Sequence, residues 1–275
     1  MKMHGWHWRH LYLIFVFALL YAPIFYLLFY SFNQGTTMTH FIGFSWRHYA
    51  ELFADTRMIQ IVLDTLLIAL LASLLATIIG TLGALVIYQV KRIWLKNSLL
   101  SLNNILMVSP DVIIGASFLI FFTFFGFKLG FNSVLLSHIA FSIPIVVLMI
   151  LPRLNEMRQS LVDAAMDLGA TNWQVLSRVV FPFISPGILA GYFMAFTYSL
   201  DDFAVTFFVT GNGFETLSVE IYARARQGIS LEVNALSTLM FLFALILIAG
   251  YYLLTRYTTT KRRKRRYQLE AKIKP

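Results

Sequence analysis

The sequence predicts an all-helical membrane protein of six spans with both termini on the inner side. Three observations lead there. Apolar side chains make up 59% of the 275 residues, gathered into runs long enough to cross about 30 Å of hydrocarbon, which takes roughly 20 residues of helix. Charged residues are scarce at 13%, while Phe is abundant at 26 residues. The basic residues fall unevenly between alternate loops. One soluble core could not bury so many apolar runs. Barrel strands would show short period-2 alternation in their place.

The first apolar run is Leu11 to Phe32, preceded by Lys2 and Arg9. It is longer than a signal-peptide core and lacks a small-residue cleavage site, so it reads as an uncleaved span with Pro23 as a tolerated kink. A polar stretch, Asn33 to Gln60, leads to the second span, Ile61 to Tyr88. Lys91, Arg92 and Lys96 mark the next loop. The third span lies within Leu99 to Phe125 and is interrupted by Ser109-Pro110-Asp111. The fourth runs from Val134 to Leu151 and is followed by a long polar loop, Pro152 to Pro182. The fifth extends from about Pro186 to Val209, and the sixth from Ala235 to Tyr257, with a polar loop between them.

The net charge of +9 is concentrated in the tail Lys261-Arg262-Arg263-Lys264-Arg265-Arg266. A basic run beside an apolar helix anchors topology against anionic lipid. No recognition module accompanies it, which argues against nucleic-acid binding. With the N-terminus inside, the outer segments hold only Arg47, Arg57, Lys128, Arg224 and Arg226; the other 17 of the 22 basic residues lie inside. The chain has no cysteine, which excludes disulfides and thiolate chemistry.

The Pro152–Pro182 loop carries the most specific pattern. Ser160 with Asp163, and Thr171 with Gln174, have capping-box spacing. Gly169 suits the left-handed end of a first short helix. Pro182 and Pro186 are expected to end the second helix and separate it from span five. Ala164 and Ala165 permit close approach of another surface, and Trp173 is an anchor of the interface type.

The order Asp163-Ala164-Ala165, three residues, Gly169, nine residues, then Val179-Val180-Phe181-Pro182 resembles the EAA loop of ABC importer permeases, with Asp for Glu, Val for Ile and Phe for Leu. The resemblance implies a type I (MetI-like) permease fold. It also implies a coupling loop over residues 160–182, docked on a nucleotide-binding subunit through Asp163, Ala164, Ala165, Gly169, Ala170, Trp173 and Pro182. No Gly-x-x-x-x-Gly-Lys-[Ser/Thr] phosphate loop occurs in the chain. The expectation is a transport subunit rather than an enzyme, without cofactor or metal of its own, ATP being bound by the partner.

A carboxylate at mid-span costs about 2.5–3.5 kcal/mol on insertion scales and usually faces a bundle interior or a wet path. Four are candidates: Asp64, Asp111, Asp201 and Asp202. Asp201 and Asp202 lie about 22 Å along span five at 1.5 Å per residue. On a continuous helix Tyr198, Asp202 and Thr206 share a face, with Phe203 and Phe207 beside it. Carboxylates among aromatic rings suit an organic cation. Asp111 follows Ser109 as N-cap and Pro110 as N1, where a first-turn carboxylate is favoured in any case. Asp64 is expected near the outer end of span two. His138 and Arg224 are expected to make satisfied polar contacts.

The stretches Met107 to Ile113, Leu129 to Ser133, Ser137 to Ile139, Ser199 to Phe203, Phe208 to Gly211 and Glu232 to Leu236 narrow the resemblance to the second permease subunits of spermidine/putrescine importers. It covers about residues 10–257. It implies a permease domain over 1–257 and a basic cytoplasmic tail over 258–275. The implied partners are a sister permease in a heterodimer, two ATP-binding cassette subunits and a periplasmic or lipid-anchored binding protein, in a bacterial inner membrane. Another cargo, such as aminoethylphosphonate or ferric ion, is a rival, although no Lys or Arg lies at mid-span for an anion. An ion-coupled secondary transporter is a further rival.

Overall fold

The computed structural model describes residues 4–211, 213–228, 231–246 and 249, with side chains from residue 10 on. The helices are α1 (His4–Tyr30), α2 (Arg47–Ala54), α3 (Thr56–Gln89), α4 (Ile93–Val108), α5 (Asp111–Phe124), α6 (Phe131–Glu156), α7 (Gln159–Asp167), α8 (Asn172–Val175), α9 (Phe181–Asp201), α10 (Ala204–Val209), α11 (Leu217–Gln227) and α12 (Leu231–Ile246). A π-helical turn, Leu176–Val180, joins α8 to α9. No strand occurs among the described residues, only the isolated bridges Asn33–Phe44 and Gly211–Phe214.

Four helical stretches are long and apolar enough to cross a membrane: His10–Ser31, Thr56–Gln89, Phe131–Glu156 and Asn172–Asp201. The pair α4 and α5 qualifies as a fifth only if it is taken as one span, bent by 103°. The sixth expected span enters as the shorter apolar α12, and most of its remainder lies outside the described residues, as does the basic tail.

Several expected boundaries move. Ser109 does not cap α5. Its hydroxyl donates back to Ile105 O at 2.8 Å, and Pro110 stands just before the first helical residue, Asp111. The ring of Pro110 forbids the α conformation at Ser109, so the chain turns there. Pro152 does not open a loop, because α6 runs through it to Glu156. Pro182 and Pro186 do not end a helix either. The π turn changes the bonding to i→i+5, Phe181 N–H donating to Leu176 O, and Pro182 falls in the first turn of α9, where its missing N–H does little harm. Pro186 lies inside α9, a position that membrane helices tolerate.

Residues Arg57–Ala223 form one compact unit. Its centre is α6, against which α3 and α9 pack through small residues. A Cβ on Gly80 would stand 2.7 Å from Val146 Cβ, and one on Gly191 would stand 3.2 Å from Val146 Cα. Lipid tails are as apolar as leucine, so close backbone approach rather than water exclusion holds such helices together. Ala84, Val146, Ile150, Leu154, Ile184 and Ala195 fill that seam. A second cluster, Ile68, Ile114, Phe122, Val134, Phe141, Val205 and Val209, packs α5 and α10 with α6. Gly115 allows this, since its Cβ would stand 3.0 Å from Val205 Cα. Thr65 Oγ1 accepts from Leu217 N at 2.8 Å, which ties the start of α11 to α3.

The other unit comprises the described residues up to Thr56 and from Arg224 onward. After α1 the backbone folds around buried Asn33, whose Nδ2 donates to Thr37 O and His40 O while its Oδ1 accepts from Ile42 N. His48 on α2 closes this loop from below, its Nε2 3.0 Å from both Asn33 O and Gly35 O. Arg224 pairs with Asp55 at 3.2 Å and with Glu232 at 2.8 Å, the satisfied contact expected of it.

The α3–α6 seam gives a direct test. Gly80→Leu drives a side chain into Val146, and overpacking of this kind costs about 1–3 kcal/mol. A lowered melting temperature of the detergent-solubilised protein is expected, with Gly83→Leu, whose Cβ would stand 3.7 Å from Val147 Cγ2, affected much less.

Candidate functional site

Two features carry chemistry: a break in the fifth span and an exposed helical hairpin before it. The expected continuous helix through Tyr198, Asp202 and Thr206 stops at Asp201. Asp202 is extended, with φ −61° and ψ 123°, and a new helix, α10, starts at Ala204. A break inside hydrocarbon leaves backbone N–H groups that only the protein can satisfy. The Asp202 carboxylate satisfies two of them, accepting from Val205 N at 3.3 Å and from Thr206 N at 2.8 Å. It also accepts from Thr206 Oγ1 at 2.8 Å. Asp202 and Thr206 therefore do meet, as a capping pair rather than across one helix face.

His138 on α6 spans the same break and is fully buried. Its Nδ1 lies 2.7 Å from Ser199 Oγ on α9, and its Nε2 lies 2.8 Å from Thr206 Oγ1 on α10. Nearby, Ser133 Oγ donates to Val209 O at 2.7 Å and so holds the far end of α10 against α6.

Two other predicted residues meet beside the break. The Tyr198 hydroxyl donates to Asp111 Oδ1 at 3.0 Å and joins α9 to the first turn of α5. Its ring stacks edge-to-face on Phe141 with centroids 5.1 Å apart. Asp111 and Asp201 are exposed, and Asp111 lies within electrostatic range of both Asp201 and Asp202. Among the described residues neither Asp111 nor Asp201 has a basic partner within ion-pair distance. Phe203 packs on Tyr222 and Phe207, with centroids 4.5 and 5.4 Å away, and supplies an aromatic wall. Asp64 sits half-buried in the third turn of α3, apart from this group. Among the described residues no three His, Cys, Asp or Glu side chains converge as metal ligands.

The hairpin consists of α7 and α8. Ser160 does not cap α7. The helix begins one residue earlier, at Gln159, after Arg158, and Asp163 instead accepts from Gln159 Nε2 at 3.3 Å. Gly169 does take the left-handed conformation, with φ +80°. Thr171 and Gln174 form the reciprocal capping box, Thr171 N donating to Gln174 Oε1 at 2.8 Å. No residue of α7 is buried. Leu161, Met166, Leu168 and Trp173 stand exposed, Leu168 at 89% and Trp173 at 71%. Ala164 is exposed beside them, whereas Ala165 and Ala170 pack against the α6–α9 core. Asp163 and Pro182 are exposed.

Apolar helices long enough to span a membrane, one of them broken at an acidic pair, mark a polytopic membrane protein. Its fold is similar to that of solved bacterial ABC transporters. One is a bacterial ABC transporter involved in import of the acidic polysaccharide alginate (TM-score 0.74, 18% identity, covering 93% of this chain and 96% of that one). Another is the MetNI methionine ABC transporter (TM-score 0.59, 20% identity, covering 71% and 93%). The chain belongs to the binding-protein-dependent transport system inner membrane component family, which matches residues 76–264. It is 37% identical to the spermidine/putrescine transport system permease protein PotC of Haemophilus influenzae, over 90% of this chain and 96% of that protein. It is 36% identical to the putrescine transport system permease protein PotI of Escherichia coli K12, over 90% and 91%.

The sequence carries no signal that singles out Ser199, and for His138 it indicates only a satisfied polar contact. Nothing in the local sequence pairs α6 with positions 199 and 206; the pairing arises from helix packing. The cap at Thr171 is the feature most open to test. Thr171→Ala should cost about 1 kcal/mol of local helix stability, read as faster amide hydrogen exchange over 172–177 with exchange in α6 unchanged.

Proposed function

We propose that this chain is the transmembrane permease subunit of an ATP-driven importer of polyamines of the spermidine/putrescine class. It works in a bacterial inner membrane with both termini inside. The observation that carries the substrate is the bond from the Tyr198 hydroxyl to Asp111, with exposed Asp201 at the end of the same broken helix and no basic partner within ion-pair distance of either carboxylate among the described residues. Carboxylates left without counterions in a bilayer call for a cation. Aromatic rings at Tyr198 and Phe203 add attraction for ammonium groups along a flexible methylene chain. The names of the related proteins point to the same cargo.

The exposed hairpin supports the assignment of partners. An uncovered patch holding Leu161, Met166, Leu168 and Trp173 suits a docking helix seated in a groove of an ATP-binding cassette subunit. Two such subunits, a sister permease completing the pathway, and a binding protein delivering substrate from outside make up the proposed assembly. ATP closes the cassette dimer, the docked hairpins move with it, and the helix that begins at Asn172 carries the movement to the acidic break.

Two variants test the substrate and the coupling separately, in vesicles holding the full complex. Asp201→Asn should lower uptake of labelled spermidine at limiting concentration by about tenfold, the equivalent of 1.4 kcal/mol; undiminished uptake would sink the cation site. Gly169→Val forces a β-branched side chain into a left-handed conformation. It should abolish uptake while ATP hydrolysis continues uncoupled, and full uptake in that variant would refute the docking role.

A further inference from the structure

We infer that His138 is a positioning residue of the permeation site: through Thr206 and Asp202 it fixes the break in span five, leaving Asp201 as the carboxylate that meets the cation. The last clause rests on the proposed transport of a cation; the first does not.

The hydrogen-bond directions form one chain. Asp202 Oδ2 accepts from Thr206 Oγ1 at 2.8 Å. A hydroxyl has one proton, so toward His138 Nε2, also 2.8 Å away, Thr206 Oγ1 accepts. Nε2 therefore carries a proton, and in the neutral ring Nδ1 accepts from Ser199 Oγ at 2.7 Å. Nε2 itself is 3.6 Å from Asp202 Oδ2, outside hydrogen-bond range, so the imidazole acts on the carboxylate through Thr206. The two halves of the span are connected covalently only through Asp202 and Phe203. The ring, held on the most deeply packed helix, clasps both halves.

This arrangement divides the adjacent carboxylates. Asp202 accepts three hydrogen bonds and its side chain is 7% exposed. Little of its capacity is left for a ligand, since a carboxylate offers about four lone-pair sites. Asp201 is exposed, one residue before the break. A change in the backbone angles at 202–203 would swing it, and misplacement by about 1 Å can cost up to a hundredfold in a positioned site.

The test uses initial rates of labelled spermidine uptake by the complete complex in vesicles. Asp201→Asn should raise KM about tenfold. His138→Leu should raise KM about tenfold, and His138→Gln, whose amide offers a donor and an acceptor at similar spacing, should restore it. Asp201→Asn or His138→Leu keeping native KM would overturn the assignment. A second readout needs no particular cargo. The chain has no native cysteine, so Asp201→Cys can be labelled uniquely within it by a cationic methanethiosulfonate. Adding His138→Leu should change the labelling rate several-fold, and adding His138→Gln should return it. Equal rates in all three backgrounds would remove the positioning role, whereas the expected rates without spermidine uptake would remove only the polyamine assignment.

Discussion

A helix that stops among buried residues exposes peptide groups that the protein itself must satisfy, and the packing around the break in span five meets that need. At the break after Asp201 a carboxylate supplies the acceptors for the new helix, and a buried imidazole joins the segments on either side. That solution requires α6 to lie close to α9 and α10, and the small residues of the bundle make the approach possible. Glycine at 191 lets α9 sit on Val146, and glycine at 115 lets α5 sit on Val205. Packing, capping and the polar network are thus one arrangement, and the acidic mouth formed by Asp111, Tyr198 and Asp201 is its outcome.

The hairpin obeys an opposite logic. α7 is short and has no buried residue, and an isolated helix of that length is marginal in water, whereas α8 runs on through the π turn into α9. Local devices hold the turn between them: the positive φ at Gly169 and the reciprocal bonds of Thr171 and Gln174. The inner side of the hairpin is anchored through Ala165, Ala170 and Val175 on the α6–α9 core. The outer side leaves leucine, methionine and tryptophan uncovered by the described residues. The surface is thus anchored on one side and apolar on the other.

Much of this was legible in the sequence because its causes are local or periodic. Apolar run length located the spans; Gly169 and the Thr171–Gln174 spacing located the turn and the second cap. The acidic residues stood out because charge is rare in such a chain. Proline was misleading. Pro152, Pro182 and Pro186 look like terminators in water, yet membrane packing and a π turn keep them inside helices. The break at Asp202 was hidden for the converse reason. Ser199 to Ala204 contains neither glycine nor proline, and only the capping preference of Asp, four residues before Thr206, hinted at a new start. The partnership of His138 with two positions more than sixty residues away depends on tertiary packing alone.

The π turn has a mechanical meaning. Because the chain does not part at Pro182, residues Asn172–Asp201 form one stretch of 30 residues, about 45 Å long at 1.5 Å per residue. Over that length a tilt of about 5° corresponds to a displacement of about 4 Å between the two ends. The exposed Trp173 and the break after Asp201 are thus opposite ends of one uninterrupted helix, with no loop between them to absorb a displacement.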